Sequence, residues 1–248
     1  MAMKNNRTII FSTKDGMVAL DSPVKLKILK FIGNQCRPFE DIVKETCKAK
    51  STISVHLKDL LEQNIILEQR DCTDKRKKYY VLNSQFIAYS DTPTQKSYDV
   101  ILDKLINSVD SEYVFFKTLC HTIRYGLEAY GMNPKPVMKR IGDDIGTKIA
   151  DMFVSDNLDD LILEMAKFWE IHNLGQVEID NSNPLTLLIH DCFDCSDMPD
   201  VGRTLCSLDE GLIEGILLHR LNLKTLVEEV DCYGTGFDHC KMIIHFLD

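Results

Sequence analysis

Cys206, Glu229, Cys232 and Cys240 set the tightest limit on how this chain folds. The last three lie 23, 26 and 34 residues beyond the first, a spacing that reads as three thiols and a carboxylate gathered around one point. Cys206 stands just ahead of an apolar helix pattern, and Cys232 and Cys240 bracket the turn-rich stretch 233–239. A helix start and a hairpin-like loop then supply thiolates from two directions, as a closed metal site requires. The odd spacing of Glu229 and Cys232 puts them on opposite faces of a regular strand, so the strand must end or bulge near Asp231. Glu228 and His239 are the neighbours able to take the fourth position. Ser207-Leu-Asp-Glu210 reads as a capping box. That leaves Cys206 just outside a helix N-terminus, where the dipole lowers a thiol pKa.

Nine cysteines, an odd number in a chain of 248 residues, do not form the even framework of a secreted domain. The start lacks the apolar core of a signal peptide, and no run reaches the roughly 18 apolar residues of a membrane span. A cytoplasmic protein with no membrane partner is expected. The net charge of −9 conceals a division: residues 1–90 carry +6 and residues 91–248 carry −15. A basic module suited to a polyanion is joined to an acidic one suited to sensing or pairing.

In the basic module, Ser22-Pro23 is an N-cap followed by proline at the first helical position. Val24, Ile28, Leu29 and Ile32 then recur at helical spacing up to Gly33. A short helix follows Pro38, and a third spans about 51–63 with Ile53, Leu57, Leu60 and Leu61 as its apolar stripe. Ser51, Thr52, Ser54, Val55 and Lys58 remain outside, near the start of that helix, where side chains reach base edges in a major groove. Strand patterns at 65–70 and 79–82 flank a basic turn whose Lys75, Arg76, Lys77 and Lys78 suit phosphate contacts. This order of helices, strand, basic tip and strand resembles the winged helix-turn-helix of the ArsR type. The resemblance implies a homodimer that reads a two-fold site on double-stranded promoter DNA.

Residues 91–124 read as a polar linker followed by an amphipathic connector, Val100, Ile101, Leu105, Ile106 and Val109, continuing through Val114, Phe115, Leu119 and Ile123. Such a connector either pairs with its twin or packs on its own domain. Cys120 reads as a buried apolar filler.

Residues 125–248 alternate helix and strand patterns, an α+β domain. The Cys, Glu, Cys, Cys spacing together with the helix from Leu208 resembles the 4-vinyl reductase-type sensory domain, including that of phenol-responsive activators. The resemblance implies one zinc ion per chain on Cys206, Glu229, Cys232 and Cys240. The fold class expected is therefore α+β: a winged helix-turn-helix in 1–90, a connector in 91–124 and a sensory domain in 125–248. That combination resembles the methanogen-specific redox regulators of the MsvR type. It implies an archaeal homodimer that binds promoter DNA when its thiols are reduced and releases it on oxidation, served by a thiol reductant such as thioredoxin. Cys192 and Cys195 add a further pair to the redox set of Cys206, Cys232 and Cys240; a local disulfide, exchange with the zinc cysteines, or two quiet thiols are all open. A second reading puts a small apolar effector near Phe168 and Trp169, where core packing is the competing fate. No phosphate loop, nucleotide fingerprint or nucleophile–base pair points to an enzyme.

Overall fold

The computed structural model describes residues 7–70, 77–93 and 95–247. The chain divides into two compact units, Met1–Thr92 and Pro93–Asp248.

In the first unit, β1 (Thr8–Thr13) and β2 (Gly16–Leu20) form an antiparallel hairpin, and β6 (Gln85–Ser90) pairs with the free edge of β1. This small sheet was not among the expected elements. Its turn has a local cause: Gly16 takes φ +119°, a conformation open to glycine, and Thr13 Oγ1 accepts the Asp15 N–H while donating to the Gly16 carbonyl.

Helix α1 (Pro23–Ile32) starts at Ser22, whose Oγ accepts the Lys25 N–H, and stops at Gly33. It packs with α2 (Phe39–Thr46) and α3 (Lys50–Glu62) around Ile28, Ile42, Ile53, Leu57 and Leu60. The wing is β4 (Ile66–Arg70) against β5 (Lys78–Leu82), with the two-residue β3 (Arg37–Pro38) on the other side of β5. Lys75, Arg76 and Cys72 lie outside the described residues.

The second unit begins with α4 (Lys96–Ile106) and α5 (Glu112–Ala129), so the connector is two helices and not one. Next come β7 (Met132–Asn133), α6 (Lys135–Ile149), a 3-10 turn and α7 (Leu158–Ile171). The hairpin β8 (Gln176–Ser182) and β9 (Leu185–His190) leads to α8 (Ser207–Leu221), and β10 (Thr225–Asp231) and β11 (Cys240–Phe246) complete an antiparallel sheet ordered β10-β11-β9-β8.

Helices α6 and α8 touch backbone to backbone. A Cβ at Gly142 would stand 2.1 Å from the Leu208 carbonyl oxygen, and one at Gly211 would stand 1.9 Å from that of Lys139. Only glycine permits this approach, and it seats the start of α8, which carries Cys206, close against α6.

Helix α5 is inverted relative to an ordinary surface helix. Its Lys117 and Arg124 are buried and Glu128 points inward to Arg203, whereas Phe116, Ile123 and Tyr130 are 60%, 61% and 78% exposed. Cys120 is exposed, not the buried filler expected from its apolar neighbours. The cause is the loop after β9, which supplies partners for the charges. Lys117 Nζ lies 2.6 Å from Ser196 Oγ and 3.0 Å from Asp197 Oδ2, His121 Nε2 is 2.8 Å from the Phe193 carbonyl, and Arg124 is 2.8 Å from Asp194.

Candidate metal centre

The structure brings Cys206, Glu229, Cys232 and Cys240 together and adds Cys195. One ligand atom from each of the five lies within 4.8 Å of all the others, and all five residues are buried. Cys195 Sγ is 3.0 Å from Cys240 Sγ and 3.2 Å from Cys206 Sγ; Cys206 and Cys240 are 3.6 Å apart. These separations are far longer than a disulfide and approach the roughly 3.8 Å edge of a tetrahedron of sulfurs about zinc.

Each donor is placed by a local backbone device. Cys206 is itself the N-cap residue of α8, and its N–H donates to Glu229 Oε2 at 2.8 Å. The capping box expected at Ser207 does not form. Glu210 instead turns its carboxylate to the Glu229 N–H at 3.0 Å and to Lys135 and Lys139, because its residue is buried where α6 and β10 meet.

The β10–β11 register slips between Glu229 and Asp231, supplying the irregularity that the Glu229–Cys232 spacing demands. Cys232 begins a 3-10 turn over Tyr233–Thr235: its N–H donates to Thr235 Oγ1, and its Sγ accepts the Gly234 N–H. Cys240 opens β11 opposite Ile189. Cys195 comes from the turn after β9, closed by the Ser196 N–H on the Cys192 carbonyl. The other two candidates for the fourth position face elsewhere. Glu228 is turned toward His245, and His239 toward Asp231 and Asp238.

The electrostatics are those of donors in want of a cation. Glu229 is pushed up to about 9, by burial first and then by the adjacent Cys232. Its Oε1 is buried with no hydrogen-bond partner among the described residues, a costly condition that a bound cation relieves. S–H groups of Cys195, Cys206 and Cys240 hold Cys232 well below the ordinary thiol value. Cys206 is pushed above it, burial being the largest cause; the depression expected from the helix end is outweighed.

Cys192 flanks the set. Its Sγ is 3.5 Å from Cys206 and 3.7 Å from Asp209, and these three form a second trio of possible donors. Sulfur and carboxylate donors, buried and four or five in number, suit a borderline-soft ion such as zinc.

Away from this centre, Trp169 is a core residue. The cavity beside it, lined by Ile162, Met165 and Leu187 among others, measures about 10 Å³, room for at most about one water molecule. In the first unit α3 exposes Ser51, Thr52, Ser54, Val55 and Lys58, the last near Glu62 at 3.7 Å. Lys77 is exposed, and Lys78 stands 2.9 Å from Glu68 on the neighbouring wing strand.

Comparison with known proteins agrees with this two-part construction. Residues 22–67 match the model of the bacterial regulatory protein arsR family, and residues 185–246 match that of the vinyl-4-reductase-type domain. These matches define the class: a DNA-binding transcription regulator, rather than an enzyme, in which an arsR-type helix-turn-helix is joined to a vinyl-4-reductase-type sensory domain. The chain belongs to the same family as the uncharacterized protein MJ0150 of Methanocaldococcus jannaschii, a methanogenic archaeon. Identity is 31% over 132 residues, which are 53% of this chain and 76% of that protein. Uncharacterized protein MJ1642 of the same organism is 33% identical over 85 residues, 34% of this chain and 53% of its own. A crystal structure of a vinyl-4-reductase family protein, also from that archaeon, aligns with 17% identity and a TM-score of 0.36, covering 60% of this chain and 96% of that one. No helix among the described residues is long and apolar enough to cross a membrane.

Proposed function

We propose that the protein is a redox-responsive transcriptional regulator, binding promoter DNA as a homodimer while its thiols are reduced. The observation that carries this reading is the convergence of four buried cysteines and Glu229 in a chain that also bears an arsR-type helix-turn-helix. Ser51, Thr52, Ser54, Val55 and Lys58 reach into a major groove; Lys75, Arg76, Lys77 and Lys78 neutralise flanking phosphates. Cys206, Glu229, Cys232 and Cys240 hold one zinc ion. When bound, the ion clamps α8, β10 and β11 through thiolates that would otherwise repel, adding its binding energy to folding.

Cys195, a fifth donor at a four-donor centre, is the thiol that answers oxidant. With a peroxide, one thiolate takes the distal oxygen to become a sulfenic acid and hydroxide departs. A neighbouring thiol then attacks that sulfur, a disulfide forms and water leaves. Cys195 with Cys240 or Cys206 is the pair nearest to hand. Either disulfide removes a zinc thiolate, weakens the clamp and loosens the start of α8. A dithiol reductant of the thioredoxin class reverses the step.

Zinc content tests the assignment. Cys232→Ser is expected to bind well under one equivalent, whereas Glu228→Gln retains one; full stoichiometry in Cys232→Ser would remove the site.

A second reading, a small-molecule effector, gains support from a cavity of about 330 Å³ between α4, α5 and Asp197–Met198, within the range of ligand pockets. Thermal shift with small aromatic compounds under fixed reducing conditions separates the two.

A further inference from the structure

The outer face of α5 has no partner within the chain among the described residues, although its pattern is that of a helix pair. Tyr113, Phe116, Cys120, Ile123, Leu127 and Tyr130 are spaced alternately by three and four residues. That is the 3.5-residue period of a helix–helix seam, and all six are exposed. No charged side chain interrupts this face: Lys117, Arg124 and Glu128 are turned inward to Asp197, Asp194 and Arg203. Burying three charged side chains while six apolar or thiol side chains face solvent reverses the pattern of a surface helix. It makes sense only if the outer face is covered.

We infer that the outer face of α5 is the homodimer interface of the second unit, occupied by α5 of a second copy running antiparallel. This rests on the homodimer of the proposed function and names its contact surface.

Three observations select a second copy. The seam is self-complementary: reversed about a point between Cys120 and Ile123, Tyr113 meets the partner's Tyr130, Phe116 meets the partner's Leu127, and Cys120 meets the partner's Ile123. Large residues thus face large ones at the ends and smaller ones meet at the middle, as an isologous two-fold contact requires. Antiparallel packing also opposes the two helix dipoles. The area suffices: the seam residues and Val114 leave roughly 600 Å² of apolar surface per protomer, so pairing buries about 1,200 Å² in total, the lower limit for a stable interface. Patches of this size on a monomer usually mark a functional contact.

The arrangement places the two Cys120 thiols on either side of the two-fold axis. At one helix rise per residue and ordinary interaxial spacing, they lie within roughly 10 Å of each other. Cys36 and Cys47 are also exposed and Cys72 is outside the described residues, so all three are replaced by serine for the test.

The full chain in that background, kept reduced and zinc-loaded, is sized by light scattering and treated with a short bismaleimide, which joins two thiols by adding each across a maleimide. The expected result is a dimer that becomes covalent, with no covalent product once Cys120→Ser is added. Phe116→Glu with Ile123→Glu is expected to raise the dimer Kd by about 100-fold or more, with zinc content and thermal unfolding of the protomer retained. Mixing Tyr113→Cys chains with Tyr130→Cys chains, both also carrying Cys120→Ser, should give a covalent heterodimer; covalent product from each chain alone would overturn the antiparallel order. A dimer that persists in Phe116→Glu/Ile123→Glu overturns this interface and leaves the homodimer standing. A wild-type chain that is monomeric at micromolar concentration overturns both.

Discussion

The two units keep their charges in opposite places. In Met1–Thr92 the core is Ile28, Ile42, Ile53, Leu57, Leu60 and their apolar neighbours, while the lysines and arginines stay at or near the surface. In Pro93–Asp248 the core includes Cys192, Cys195, Cys206, Cys232 and Cys240, and Lys117, Arg124, Asp209, Glu210 and Glu229 are buried around or near them. An apolar core responds weakly to pH, metal or oxidant, because nothing in it titrates or ligates. A core of thiols and paired charges responds to all three. The two units thus differ in the kind of interaction that stabilises them, and the sensing unit is the one whose packing depends on chemistry.

The comparison breaks most visibly on metal removal. Chelation, or Cys232→Ser, is expected to remove a stabilising term on the order of 10 kcal/mol and to unfold or loosen the second unit, leaving the first unit's unfolding transition in place. Two-domain calorimetry reads the difference, and a matching loss in both units would end the distinction. Next in size is Arg124→Ala, which strands Asp194 in a buried site and is expected to cost about 4 kcal/mol, again in the second unit alone by denaturant unfolding.

His121 gives a pH test. Its ring, pushed down to about 4 by burial, stays neutral in the folded unit while the unfolded ring takes a proton near its ordinary value. Stability is therefore complete above about pH 6.5 and falls as pH drops toward 4, by about 3 kcal/mol. His121→Gln, which keeps a donor for the Phe193 carbonyl, should abolish that part of the slope; an unchanged slope would move the titration to another group. The smallest effect belongs to the first unit. Ser22→Ala removes the N-cap of α1 and should cost about 1 kcal/mol, with no dependence on zinc or oxidant.

What the sequence disclosed follows the same division. The helices of the first unit were legible because their apolar residues recur at helical spacing and their ends carry Ser22, Pro23 and Gly33, all local signals. The β1–β2 hairpin had a signal too, Asp15-Gly16 between apolar runs, but it precedes the helix-turn-helix pattern that dominates the reading. In the second unit the offsets of Cys206, Glu229, Cys232 and Cys240 were visible as spacing. Cys195 was not, since its place beside Cys240 depends on β9 pairing with β11. Glu210 looked like a capping residue because its offset from Ser207 is right, yet a buried junction with two lysines claimed its carboxylate. Cys120 was read inward because apolar faces normally point to the core. Only the partners on the 191–198 loop show that α5 sends its charges there instead.

The measurement that bears most directly on the central claim is binding of the zinc-loaded protein to its own upstream DNA at one stated salt concentration, reduced, then treated with peroxide, then returned to reductant. The account predicts tight binding that is lost on oxidation as zinc is released and regained when thiols and zinc are restored. Equal affinity in the reduced and oxidised states would contradict it.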